Sequence, residues 1–351
     1  MCNVNMNKSL IIISLIIIVI LSSIFIYEAD EKDTSSFKNS SQNTDEETLG
    51  NWYDITKIRG VVRHLVEEKK FSQLEDMVHQ ARVEKLRLIT ETWVLRDLYN
   101  AIPYSLEDYD SIYQLVAEWR DHSPDSNIPD IIEARALYSY AWKVRREHSR
   151  STVSNKQHLG FKDYLSKAWD STILAEEKGP VDLEVCTIKT TLLFVLFSDK
   201  TLAKEQFYKC AKIEPGYIHL YITTANYLQS KWTGSNRELL EFVEKSADDT
   251  AYIFGDGLYA LLVSSLTDDN SKSFRIFIED GGIFSWQRAM KGFDDIIEKN
   301  GKSSYILHMY GYCAMLAFDN YVFAKILKEI GIEWDESKKN TSKKNRGMNI
   351  I

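Results

Sequence analysis

AKEQFYKCAKIEPGYIHLY, residues Ala203 to Tyr221, is the stretch that decides how this chain folds. Ala203 and Phe207 lie one helical turn apart, Cys210 continues their face, and lysines and glutamates fill the positions between. Pro215, eight residues after Phe207, cannot continue a helix, and a second apolar run opens at Ile218. A small side chain lets two helices approach, an aromatic fills the groove between them, and a proline ends the turn. The unit is a helical hairpin.

Working outward, the same period recurs on both sides. Upstream, Ile58, Val61, Val62, Leu65 and Val66 form a stripe opposite Arg59, Arg63 and Glu67, followed by Phe71, Leu74, Met77, Val78 and Ala81. Further stripes run through Trp93–Leu98, Tyr113–Trp119, Ile131–Val144, Tyr164–Ala175 and Ile188–Phe197, and downstream to Phe323–Ile330. No segment alternates with period two, so strands are minor at most. Pro103, Pro124, Pro129, Pro180 and Pro215 are expected to fall between the stripes. The spacing of Ala203, Phe207 and Pro215 matches the second helix of a tetratricopeptide repeat. No second copy is as good, and Thr191 stands where the first helix would carry Gly or Ala. The expected fold is all-α: irregular stacked helical hairpins, a tetratricopeptide-like superhelix, behind one N-terminal transmembrane helix.

The composition agrees. The 351 residues are 44% hydrophobic and 27% charged, enough for a real core, and 15 Gly with 5 Pro are too few for a many-turned β protein. A formal charge of −8 excludes a generally basic nucleic-acid-binding surface.

LIIISLIIIVILSSIFIY, Leu10 to Tyr27, carries no charge and as a helix would span about 27 Å, close to a bilayer core. Lys8 precedes it and Glu28, Asp30, Glu31 and Asp33 follow, which favours a cytoplasmic N-terminus. A cleaved signal peptide is the rival reading, but Phe25, Ile26 and Tyr27 are too bulky for a good cleavage site. The expected organisation is a cytoplasmic N-terminus (1–9), a transmembrane anchor (10–27), a flexible acidic linker (28–50), a helical-repeat domain (51–335) and a polar basic tail (336–351). The body would face the periplasm from the inner membrane. Cys186, Cys210 and Cys313 then lie on the exported side without any CxxC. Free, buried thiols are the preferred reading, with a Cys186–Cys210 bridge within reach because antiparallel helices would bring those ends together.

The chemistry search returns little. No GxxxxGK[ST], HExxH, GxSxG or GxGxxG is present, and the seven histidines are scattered singly. No catalytic, cofactor or metal-binding residue is assigned, and the chain does not read as an enzyme. Eight tryptophans are the remaining oddity. Trp142 is followed by Arg145 and Arg146 at spacings that allow cation–π contact along one helix face. In KWTGSNRELLEF, Gly234 can make a turn and Ser235 can cap a helix, with Trp232 expected to be buried between hairpins. These aromatics suit a partner-binding groove, but structural packing is the stronger expectation.

The stretches WRDHSPDS (from Trp119), ARALYSYAWKVRREH (from Ala134), YLQSKWTGSNRELLEF (from Tyr227) and YCAMLAFDNYVFAKILKEIGIEWD (from Tyr312, through Trp334) resemble a family of bacterial domains of unknown function with a helical, repeat-like body. Lys231 replaces an Arg before Trp232, and Phe318 a Gly before Asp319, so the resemblance leaves those two turns open. It implies a fold and no activity. The leading functional expectation is a membrane-anchored interaction module whose partner is a protein; the alternatives are an immunity protein against a toxin acting in the envelope, or an envelope enzyme with an unrecognised site.

Overall fold

The computed structural model describes residues 55–88, 92–106, 108–145, 155–232, 234–267 and 282–331. The stretches expected to be anchor, linker and basic tail, together with Arg146 and Trp334, lie outside them. Among the described residues there are fifteen helices and no strand, and none of the helices is long and apolar enough to cross a membrane.

In chain order they are α1 (Ile55–Glu67), α2 (Phe71–Val83), α3 (Val94–Tyr104), α4 (Tyr109–His122), α5 (Ile128–Arg145), α6 (Asn155–Lys178), α7 (Leu183–Val195) and α8 (Lys200–Ile213). The second half adds α9 (Ile218–Tyr227), α10 (Asn236–Asp249), α11 (Ala251–Phe254), α12 (Gly257–Ser265), α13 (Trp286–Asn300), α14 (Ser304–Leu316) and α15 (Asn320–Ile330). Helices begin where short acceptors stand. Asp108, Asp182, Asp199, Ser235, Ser285, Ser303 and Asp319 each take a backbone N–H of the following first turn. Three prolines fall in turns as expected. Pro129 instead sits in the first turn of α5, where its missing N–H had no helical partner to lose, and Pro103 lies in the last turn of α3.

The main packing partners are sequence neighbours: α5 with α6, α7 with α8, α12 with α13, and α14 with α15. The body is all-α, as the periodicity predicts, and helices adjacent in the chain pack on one another. Three apolar cores result, one under α1–α5, one between α5, α6 and α7, and a large one from α7 to α15. Ala203, Phe207 and Cys210 all face inward in the last of these. Within the large core α13 runs against α12 so closely that a Cβ at Gly292 would overlap the carbonyl of Asp256.

Cys186 and Cys210 form a disulfide across the α7–α8 hairpin, with Cα atoms 6.1 Å apart. This corrects the expectation of free thiols. Both side chains point into the same interhelical seam, so the spacing meets what a bridge requires. Cys313 is free and buried, and burial pushes its thiol up to about 12, leaving it unreactive.

The array is also tied across long sequence distances. Between α2 and α3 an antiparallel backbone bridge pairs Arg87 with Trp93, and the Trp93 indole donates to the carbonyl of Gly216 at 2.8 Å. The same ring meets Tyr217 edge-on at 5.3 Å, and Arg87 lies 5.4 Å from both Trp93 and Phe254.

Candidate functional site

Helix α5 presents Tyr138, Trp142 and Arg145 along one face, because residues three and four apart on a helix are neighbours. Its hairpin partner α6 contributes Phe161. From the far side, α9 ends at Tyr227 and leads into the turn that carries Trp232. The rings form a continuous chain: Phe161 meets Trp142 at 5.2 Å, Trp142 meets Trp232 at 5.7 Å, and Trp232 meets Tyr227 at 5.6 Å. Tyr138 and Tyr227 share a hydroxyl hydrogen bond of 2.9 Å beneath them. Burial pushes the Tyr227 hydroxyl well above its ordinary range, so it stays protonated at any physiological pH.

The Arg145 guanidinium lies among these rings, 5.0 Å from Trp142, 5.2 Å from Phe161 and 5.6 Å from Trp232. The expected cation–π contact is present, and it involves three rings. The turn behind Trp232 is tightly specified. The N–H groups of Trp232 and Gly234 both reach the carbonyl of Gln229, and any side chain at Gly234 would overlap the Leu228 carbonyl. Ser235 then caps α10 by accepting from the Glu238 N–H at 3.2 Å.

Trp232 itself departs from expectation. It is 39% exposed and not buried between hairpins. Its turn lies at the surface, and Trp142 and Tyr227 cover only part of the indole. The indole N–H of Trp142 is by contrast buried and has no acceptor among the described residues. Trp119 stands apart from the cluster, wholly buried, stacked on Phe71 at 5.1 Å and donating to Glu75 at 2.8 Å. Trp142, Arg145, Trp232, Gly234 and Ser235 therefore come together, whereas Trp119 is a packing residue. Phe161 and Tyr227 belong to the site without any local motif to mark them.

Two further features had no sequence signal. A cleft of about 460 Å³ opens beside Glu75, His79, Arg82, Asn127 and Lys178, and carries no bias toward one charge. Deeper, burial pushes Asp97 up to about 6 and, with Arg135 alongside, Arg96 down to about 10. Among the described residues no group of His, Cys, Asp and Glu could hold a metal ion. Comparison with protein-family models, with curated proteins and with solved structures finds no match for this chain.

Proposed function

We propose that this chain is a membrane-anchored interaction protein whose helical body faces the periplasm and engages a protein partner through the ring cluster around Trp232. The observation that carries this reading is a half-exposed indole beside a guanidinium held among three rings. Tryptophan and arginine are the side chains that most often concentrate binding energy in a protein interface. The Cys186–Cys210 disulfide supports the exported location, because such bonds persist in oxidising compartments and are rare in the cytosol. The uncharged run from Leu10 to Tyr27 supports the anchor. The resemblance to bacterial domains of unknown function belongs to the same reading, since it implies a helical scaffold and no catalytic residue.

A photo-crosslinking amino acid placed at position 232 of the full chain in cells should trap one discrete protein adduct. The same group at Tyr252, which is exposed on another part of the body, should not. Absence of a site-specific adduct overturns the reading, and an adduct with a toxin narrows it to the immunity role. A reporter active only outside the cytoplasm, fused after Asp335, tests the topology separately.

A further inference from the structure

We propose that Arg145 is a carboxylate receptor, and that the partner segment seated on Trp232 is acidic, presenting an Asp or Glu next to an apolar residue. This rests on the interaction reading and adds the chemistry of the ligand. Four other arginines that are similarly half-buried each hold a carboxylate: Arg82 with Asp182, Arg120 with Asp130 and Glu133, Arg135 with Glu184, and Arg288 with Asp248 and Asp256. Arg145 differs. Among the described residues no carboxylate and no carbonyl accepts from it, and it lies against the three rings.

Rings on a guanidinium occupy its faces and fix its plane, but they take none of its five N–H donors. A half-buried charge that has lost part of its water shell without gaining an anion is a costly arrangement by itself, and a well-directed acceptor relieves it. A planar carboxylate suits that fork best, because two parallel hydrogen bonds can form at once. The exposed indole of Trp232 beside it supplies an apolar wall for the neighbouring side chain of the ligand. Lys143, on the same helix and 4.8 Å from the Tyr140 ring, adds a second positive charge to α5 near its C-terminal end.

Selection of a random heptapeptide library displayed on phage, with the detergent-solubilised full chain as bait, tests this. The recovered peptides should carry Asp or Glu at a recurrent position beside an apolar residue, and Trp232→Ala should abolish their capture. In synthetic peptides, replacing that carboxylate by its amide should weaken binding to the wild-type chain about tenfold or more. The same replacement should leave binding to Arg145→Gln unchanged. If Arg145→Gln does not fold, the peptide pair still decides against the wild-type chain, since only the acid form should lose affinity as salt is raised. Peptides that depend on Trp232 but bind equally as acid and amide overturn the carboxylate receptor and leave the interaction reading standing. Peptides indifferent to Trp232, or no enrichment at all, overturn both.

Discussion

From α1 to α7 the ends of the helices are tied by buried carboxylates, whereas from α10 to α15 the interior is hydrocarbon with a few hydroxyls and the ion pairs stay near the surface. In the first region Asp182 caps α7, accepts from the Tyr99 hydroxyl at 2.9 Å and pairs with Arg82 at 2.8 Å. Asp130 holds Arg120 at 2.6 Å and Lys178 at 2.9 Å, joining the ends of α4 and α6. Glu184 takes Arg135 and the Tyr217 hydroxyl, both at 3.0 Å. In the second region Arg288 and Lys291 pair with Asp248, Asp256 and Asp295 at the rim. There, tight contact between α12 and α13 at Gly292 does the work of specification. One region is specified by charge and the other by shape, and the two should fail in different ways.

The largest difference should come from removing one buried partner. Asp182→Ala takes the carboxylate from Arg82 and the acceptor from the Tyr99 hydroxyl, leaving only the 2.7 Å bond from Arg82 to that hydroxyl, and strips the cap of α7, so urea unfolding should show a loss of about 3–5 kcal/mol. Lys291→Ala at the rim should cost less than about 1 kcal/mol by the same measurement. Equal losses would erase the contrast.

The disulfide sits where the two regions meet. It encloses a loop from Cys186 to Cys210, and replacing both cysteines by serine should lower stability by about 3 kcal/mol. Alkylation of the denatured, unreduced chain checks the pairing directly: Cys313 should react while Cys186 and Cys210 should not.

A smaller effect, confined to the charged region, concerns pH. Asp97 ionises near 6 in the folded chain against 3.8 in the unfolded one, with burial as the main cause. Between those values the folded state keeps a proton that the unfolded state has released. Its contribution to stability is therefore complete at the acid end and is lost as pH rises through about 6. The stability difference between wild type and Asp97→Asn should change by up to about 3 kcal/mol across that window and stay flat above it. A difference that does not vary with pH would place Asp97 in water.

The smallest effect belongs to the apolar region. Phe318, at the turn between α14 and α15, has φ of 56°, a left-handed conformation that suits glycine. The residue is 40% exposed, so the packing lost with its side chain is set against the strain relieved. Phe318→Gly should raise the melting temperature slightly, by an amount equivalent to about 0.5–1 kcal/mol. A fall would mean that the ring holds Trp286 and Met290, which line the adjoining cleft.

Where periodicity carries the information, the sequence marks each helix but not its ends. The stripe from Ile131 to Val144 becomes α5, which starts at Ile128, and that from Ile188 to Phe197 becomes α7, which starts at Leu183 and ends at Val195. The N-terminal turns of α6 were missed because Asn155 to Gly160 is too polar to continue its stripe. The buried carboxylates could not be read at all. An Asp or Glu reads as solvated unless its cation is known, and the partners of Asp130, Asp182 and Glu184 lie between 10 and 100 positions away along the chain. Half of the ring cluster was legible because Trp142 and Arg145 are neighbours on one helix. Phe161 and Trp232 reach it only through the way the hairpins stack, and the exposure of Trp232 depends on that arrangement and not on its own turn. The disulfide was within geometric reach in the sequence, but which face of α7 meets which face of α8 is decided by packing.

The hydrogen bond from Trp93 to Gly216 spans 123 positions. Helical arrays whose hairpins touch only their neighbours can lose a terminal repeat, or open one end, while the rest persists. Here the entry to α3 is fastened to the turn between α8 and α9, and Arg87 reaches on to Phe254. Opening the first helices exposes the middle of the body, so among the described residues the N-terminal helices are not an expendable cap. The body should melt as one cooperative unit, and fold more slowly than its local helix content alone would suggest.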